Sequence, residues 1–116
     1  MSDASWVVKN GDLQELKTLL EKDQSILTAE VKNRPLLCHA ADYGQKDIIE
    51  YLLSKGANVN ATDKYGITAL LAAIYEGHRD CVEILLKHGA NKTGKTPDGQ
   101  SYFDAAESQA IKDLLK

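Results

Sequence analysis

Apolar residues along the chain recur at intervals of three and four, the spacing that places side chains on one face of a helix. Three stretches show this pattern, namely Leu13, Leu16, Leu20; Ile49, Leu52, Leu53; and Val82, Leu85, Leu86. Charged residues occupy the intervening positions, among them Glu15, Lys17, Glu50 and Lys87. The pattern therefore predicts three amphipathic helices, each of which buries one side.

A shorter apolar stretch precedes each of these helices, and glycine separates the two. Two of the shorter stretches contain an alanine pair, at residues 40–41 and 72–73. The separating glycines are Gly11, Gly44 and Gly77. Glycine adopts the left-handed conformation that ends a helix without a Cβ clash. We therefore predict pairs of helices, in which small side chains let neighbouring first helices pack closely.

The whole pattern repeats every 33 residues, as the spacing of Gly11, Gly44 and Gly77 shows. Gly56 and Gly89 keep this period, and so do Gly66 and Gly99, which close the turns at residues 63–66 and 96–99. A unit of this size cannot bury its own apolar face. Neighbouring units must therefore stack, which predicts a solenoid.

Residues 67–73 (ITALLAA) resemble the ankyrin signature T-P-L-H-x-A, and residues 56–61 (GANVNA) and 89–91 (GAN) resemble the junction between ankyrin repeats. The chain is identified as a member of the ankyrin-repeat family. The resemblance implies an all-α solenoid of about four helix-turn-helix repeats with short β-turn tips and atypical terminal repeats. It also implies a single domain over residues 1–116, with repeats at about 1–33, 34–66 and 67–99 and a partial repeat at 100–116.

Three departures from the ankyrin pattern lie in the first half of the chain and the third repeat. Residues 23–27 (DQSIL) replace the first junction, so we expect the first repeat to end in a different shape. Pro35 stands in the Thr position of the signature, with Leu36 in the Pro position. Cys38 and Leu71 stand where the signature has His.

Charge and composition narrow the class of partner. The net charge of the 116 residues is −3, and the pI is about 5.5. There is no basic stripe of the kind that binds phosphates, so we expect no direct binding to nucleic acid. The start lacks a signal-peptide pattern, and no apolar run is long enough to span a bilayer. We expect a monomer in the cytoplasm, with the nucleus as a second location and no membrane contact.

Cysteine and histidine offer two candidate chemistries. Cys38 with His39, and His78 with Cys81, suggest a zinc site, but zinc needs four converging ligands and these pairs lie one repeat apart. His78 and Cys81 also stand at i and i+3, close enough on a helix to touch as a nucleophile and its base would, but nothing supplies an oxyanion hole or a water-excluding pocket. The pattern favours reduced thiols in the core and histidines that hydrogen-bond at helix ends or between repeats. We therefore expect no metal, no cofactor and no enzymatic activity.

Polar and aromatic residues at positions that the periodic core does not need are candidates for binding a partner. In a solenoid, the first helices and the turns line the concave side. Trp, Tyr and Arg are the residue types that anchor interfaces. The alternative is that Trp6 covers the core of the first repeat and that the charges are merely solvated. The predicted partner-binding residues are Trp6, Glu30, Arg34, Asp42, Tyr43, Lys64, Tyr65, Tyr75, Glu76 and Asp98.

The length, residues 6–12 (WVVKNGD) and the C-terminal stretch resemble the small ankyrin-repeat inhibitors of the actin capping protein. That resemblance implies binding to the capping-protein α/β heterodimer, which would be kept off filament barbed ends. Asp42 and Glu76 would pair with basic residues of the partner, and Trp6, Tyr43 and Tyr75 would supply apolar contact. The resemblance also implies Rel-family transcription factor dimers as an alternative partner. A generic or engineered scaffold is a third alternative, against which the irregular first repeat argues.

Overall fold

Eight α-helices in four successive pairs make up most of the part of the chain that the computed structural model describes, residues 4–28, 30–31 and 34–116. The first helices of the pairs are α1 (Ala4–Lys9), α3 (Leu36–Asp42), α5 (Ala69–Glu76) and α7 (Tyr102–Ala105). The second helices are α2 (Leu13–Lys22), α4 (Lys46–Ser54), α6 (Arg79–Lys87) and α8 (Gln109–Leu115). The all-α solenoid predicted from the sequence is confirmed, while the exact repeat boundaries stay a prediction.

Within the first three pairs, the short connection between the two helices contains one glycine. Gly11, Gly44 and Gly77 have φ angles of 71°, 70° and 73°, in the left-handed region. The amide of the next residue then donates to a carbonyl in the first helix, as from Gln45 to Ala40 over 2.9 Å. Because this bond closes the first helix, the second helix can begin two residues after the glycine. The predicted role of these glycines is confirmed.

The core lies between the layer of first helices and the layer of second helices. Val8, Leu16, Ile49 and Leu70 are among its fully or almost fully buried side chains. In the first three repeats, neighbouring first helices contact each other more extensively than neighbouring second helices do. Buried alanines such as Ala40 permit that close approach. The first helices therefore lie on the inner side of the curved stack.

Three short hairpins precede α3, α5 and α7. The first is a two-stranded antiparallel sheet of β1 (Glu30–Val31) and β2 (Arg34–Pro35). The other two each consist of one antiparallel bridge, Thr62 with Thr68 and Lys95 with Ser101. Their turns close as predicted, because the amides of Gly66 and Gly99 donate to the carbonyls of residues 63 and 96 over 3.0 and 2.9 Å.

The junction after the first repeat differs from the others, as the sequence predicted. A 3₁₀ helix (Gln24–Thr28) occupies it, and Oδ1 of Asp23 accepts hydrogen bonds from both the amide and the hydroxyl of Ser25. Pro35 directly precedes α3 and offers no side-chain cap. At the corresponding position before α5, the hydroxyl of Thr68 accepts from the amide of Leu71 over 3.1 Å. The Pro35 departure therefore removes one helix cap.

The fourth pair is shortened. α7 has four residues, whereas α3 and α5 have seven and eight. As a result, α8 is preceded by Ser108, which takes the place that His78 has before α6. This truncation confirms that the last repeat is atypical. Within the described residues, no helix is long and apolar enough to cross a membrane.

Candidate partner-binding surface

The ends of the first helices form a row along the inner side of the stack. The row consists of the two residues before each connecting glycine, namely Lys9, Asn10, Asp42, Tyr43, Tyr75 and Glu76. Tyr43 and Tyr75 are 42% and 47% exposed. Nζ of Lys9 lies 5.9 Å from the ring centroid of Tyr43, so members of the row approach each other across the repeats. We call this set the helix-end row.

Trp6 lies on α1 and is 55% exposed. It occupies the position that His39 and Ala72 hold in the next two repeats, where both residues are buried. More than half of the Trp6 surface is exposed, so a partner could reach it, and its role in binding stays a prediction. Trp6 stands at the outer end of the stack, beside the helix-end row rather than within it.

The hairpin tips carry a second exposed group. Tyr65 is 65% exposed, and Nζ of Lys64 lies 5.1 Å from its ring centroid. Glu30 and Asp98 are also exposed, on the first and third hairpins. Four of the predicted binding residues therefore lie where a partner could reach them. Whether they do contact one stays a prediction.

Arg34 is turned toward the chain's own acidic residues. Its Nη1 lies 3.4 Å from Oδ2 of Asp42, and its Nε lies 3.6 Å from Oδ2 of Asp63. The distance from Nε is too long for a hydrogen bond, and this buried atom has no hydrogen-bond partner among the described residues. Arg34 thus links the first hairpin to α3 and to the second hairpin. Arg34 and Asp42 stay predicted partner contacts, but each already has an ion pair within the chain.

Asp63 links two hairpins, although its sequence pattern predicts only a turn residue. It is buried, and its Oδ1 accepts hydrogen bonds from the amides of Tyr65 (2.8 Å) and Ile67 (3.0 Å). Its Oδ2 faces Arg34. One carboxylate therefore shapes the second turn and also fixes that turn relative to the first hairpin. The available signal was the Asp at the first position of a tight turn.

The two cysteines are buried in the core, as predicted. Burial raises the pKa of Cys38 to about 12 and the pKa of Cys81 to about 11. Thiols with such pKa values are protonated at neutral pH and are poor nucleophiles. Among the described residues, no group of three or more His, Cys, Asp or Glu side chains could hold a metal ion.

His78 makes the inter-repeat hydrogen bond that the sequence analysis favoured. Its Nε2 lies 3.1 Å from the carbonyl oxygen of Asp42. Because a carbonyl only accepts, Nε2 carries the proton in this contact. Gln45 makes the same kind of bond one repeat earlier, from Nε2 to the carbonyl of Lys9 over 3.0 Å. Both bonds attach a residue of the helix-end row, Lys9 or Asp42, to the next repeat.

Comparison with known proteins agrees with this architecture. The family model described as "Ankyrin repeats (3 copies)" matches residues 4–96. Myotrophin of Xenopus tropicalis is 51% identical over 110 residues, which cover 95% of this chain and 93% of that protein. Myotrophins of Gallus gallus and Homo sapiens are each 50% identical, over 100% and 96% of this chain and 100% and 94% of theirs.

The chain is thus an ankyrin-repeat protein, a class whose stacked repeats serve as protein-interaction modules. Within that class it belongs to the myotrophin family, since its likeness to those proteins extends over nearly the full length of both chains.

Proposed function

We propose that this protein binds the actin capping protein heterodimer and sterically prevents it from capping filament barbed ends. The observation that carries the proposal is the placement of the exposed aromatic side chains. Every large exposed apolar residue among the described residues (Trp6, Tyr43, Tyr65 and Tyr75) lies on a first helix, at its end or on a hairpin, and none lies on a second helix. Family membership and this one-sided surface together support the proposal.

The arrangement suits a binding surface because the core does not require these rings. Tyr43 and Tyr75 project from the ends of first helices whose buried sides are already filled by residues such as Ala40 and Ile74. Aromatic side chains supply a large contact area at a low cost in conformational entropy. They are therefore the expected anchors, with the charged residues around them forming the rim.

The exposed charges would serve mainly in encounter and specificity. Glu76 is exposed, whereas Asp42 is half-buried and paired with Arg34. Because Arg34 already neutralises part of the Asp42 charge, Glu76 is the stronger candidate for pairing with a basic residue of the partner. Glu30, Lys64 and Asp98 would contribute at the hairpin tips.

A barbed-end elongation assay tests the proposal. Actin filaments grow slowly at their barbed ends when capping protein is present, and we expect micromolar amounts of this protein to restore elongation. Elongation that stays capped would contradict the proposal. The same assay without capping protein is the control, because there the protein should have no effect on the rate.

A Rel-family transcription factor dimer is the rival partner, and it would compete for the same surface. Pull-downs with this protein from separate cytosolic and nuclear extracts distinguish the two. Recovery of capping-protein subunits without Rel-family subunits supports the proposal and removes the rival. Recovery of Rel-family subunits alone would contradict the proposal and support the rival partner.

A further inference from the structure

A hydrogen bond between successive repeats recurs in the first three repeats. Gln45 and His78 each directly precede a second helix, and each reaches back to the last residue of the first helix in the preceding repeat. The bonds run from Gln45 Nε2 to the carbonyl of Lys9 (3.0 Å) and from His78 Nε2 to the carbonyl of Asp42 (3.1 Å). We call this contact the inter-repeat bridge.

The bridging side chains fill the space above the connecting glycines. A Cβ on Gly11 would lie 2.9 Å from Oε1 of Gln45, and a Cβ on Gly44 would lie 2.8 Å from the ring of His78. A Cβ on Gly77 would meet nothing within 4 Å. The space above the third connecting glycine is therefore open, in contrast to the first two.

The bridge is missing at this third junction because the last repeat is short. Ser108 takes the position of Gln45 and His78, and its hydroxyl accepts from the amide of Ile111 at 3.5 Å. Its side chain is too short to reach back to α5. Among the described residues, no side chain donates to the carbonyl of Tyr75, which corresponds to those of Lys9 and Asp42.

An open notch of about 320 Å³ takes the place of the bridge. We call it the C-terminal notch, and its lining residues are Ile74, Tyr75, Glu76, Gly77, Glu107 and Ser108. Two of the lining residues are acidic and none is basic. The nearby guanidinium of Arg79 is engaged by Glu83 (3.3 Å) and Asp80 (3.9 Å) on its own helix.

The chemistry of the notch favours a cation that can also donate hydrogen bonds. The C-terminus of α5 carries partial negative charge on its last carbonyls. Glu76 and Glu107 add two full negative charges, and Glu107 also offsets the partial positive charge at the start of the short α8. The ring of Tyr75 offers an aromatic surface for a guanidinium.

We infer that the C-terminal notch receives an arginine or lysine side chain of the protein's partner. That side chain would donate to the end of α5 as Gln45 and His78 do in the preceding repeats. The inference deepens the proposed function and rests on it for the identity of the partner. The notch adjoins Tyr75 and Glu76 of the helix-end row, so one partner can cover both.

The first test probes the notch without any partner protein. Amide chemical shifts of the full chain are followed by NMR while the peptide acetyl-Gly-Arg-Gly-amide is added. The neutral isostere with citrulline in place of arginine is the control. We expect saturable shifts at residues 75–77 and 107–108 with the arginine peptide only. Absent shifts, or equal shifts with the citrulline peptide, would overturn the inference.

The matched variant fills the notch from within. Ser108→Gln restores the bridging side chain of the first junction, and glutamine is already tolerated before α4 at Gln45. Ser108→Thr leaves the notch open and keeps the capping hydroxyl, so it is the control. We expect Ser108→Gln to abolish the arginine-peptide shifts and to weaken binding to capping protein about tenfold, with Ser108→Thr within about twofold of wild type.

The two proposals fail in different ways. If the wild-type chain does not bind capping protein, the proposed function is wrong, and the peptide shifts alone decide whether the notch binds a basic side chain. If the wild-type chain binds capping protein and Ser108→Gln binds it equally well, the notch is not used and the inference is overturned, while the proposed function stands.

Discussion

Nε2 of His78 donates to the carbonyl oxygen of Asp42 across 3.1 Å, so a single imidazole ties the second helix of the third repeat to the first helix of the second. The ring also occupies the space above Gly44. Gln45 repeats both functions one repeat earlier. The bridge therefore belongs to the repeating unit, and two different side chains can form it.

Replacing His78 tests the contribution of the bridge to stability. We expect His78→Ala to lower the free energy of unfolding by about 1–2 kcal/mol, because the bond and the packing over Gly44 are both lost. His78→Gln should stay within about 0.5 kcal/mol of wild type, since glutamine forms the same bridge at Gln45. Urea denaturation followed by circular dichroism measures both. Equal losses of stability in the two variants would show that the hydrogen bond of the bridge does not contribute to the free energy of unfolding.

Arg34 tests the link between the first two hairpins. Arg34→Ala leaves the buried carboxylate of Asp63 without its cation, and we expect a loss of about 2–3 kcal/mol in the free energy of unfolding. Asp63→Asn keeps an oxygen that can accept from the amides of Tyr65 and Ile67, so it isolates the charge. A double-mutant cycle with both changes should give a coupling energy of about 1 kcal/mol or more. A coupling energy near zero would mean that the two residues act independently.

The cap of α5 is the subject of a third prediction. The hydroxyl of Thr68 accepts from the amide of Leu71 and lies 3.1 Å from the hydroxyl of the buried Tyr102. Thr68→Ala removes both contacts, and we expect it to destabilise the fold by about 1–2 kcal/mol. Thr68→Ser retains the hydroxyl and should recover most of that loss. Thermal unfolding of the two variants side by side provides the measurement.

The buried thiols predict a loss of stability at alkaline pH. Burial raises the pKa of Cys38 from 9.0 to about 12 and the pKa of Cys81 from 9.0 to about 11. Above pH 9 the thiols of the unfolded chain ionise while those of the folded chain stay protonated. The free energy of unfolding therefore falls as pH rises from about 9 to 11, by at most about 1.4 kcal/mol per pH unit for each thiol.

The control for this pH dependence is the variant with Cys38→Ala and Cys81→Ala together. Its stability at neutral pH can differ from that of wild type, but its slope against pH between 9 and 11 should be shallower. Denaturation series at several pH values measure the slope. Parallel slopes would assign the alkaline loss to other titrating groups.

The proposed surface makes a prediction about binding. Tyr43→Ala and Tyr75→Ala should each weaken binding to capping protein about five- to tenfold, because both remove an exposed aromatic anchor from the helix-end row. Lys87→Ala, on the exposed side of α6, is the control and should leave binding unchanged. Isothermal titration calorimetry gives the affinities. An effect of Lys87→Ala as large as that of Tyr43→Ala would place the interface on the other side of the stack.

The fold follows from the sequence because its determinants are local. Gly11, Gly44 and Gly77 must each turn the backbone within two residues, and their common period alone indicates the repeat. The partners of Arg34 are different in kind. Asp42 and Asp63 lie 8 and 29 residues away, so their pairing with Arg34 depends on how the hairpins and α3 are oriented in space. A pattern read along one chain carries no such orientation.

The C-terminal notch could not be predicted from the sequence for a related reason. Strict continuation of the 33-residue period places Ile111 opposite His78, whereas the structure places Ser108 there. The difference arises because α7 has a single turn. Helix length at the end of a solenoid depends on how well the last repeat packs, which the period does not encode. Asp63 was predicted only as a turn residue for the other reason, since its pairing with Arg34 depends on how the hairpins are oriented in space.

The missing bridge gives the molecule a mechanical direction. If the two ends of the chain were pulled apart, the three junctions between repeats would bear the same tension. Among the described residues, two junctions carry the inter-repeat bridge and the third does not, although the hydroxyls of Thr68 and Tyr102 lie 3.1 Å apart across it. The third junction also holds the shortest helix. The fourth pair, α7 and α8, would therefore detach first, before the repeats that the bridge connects open.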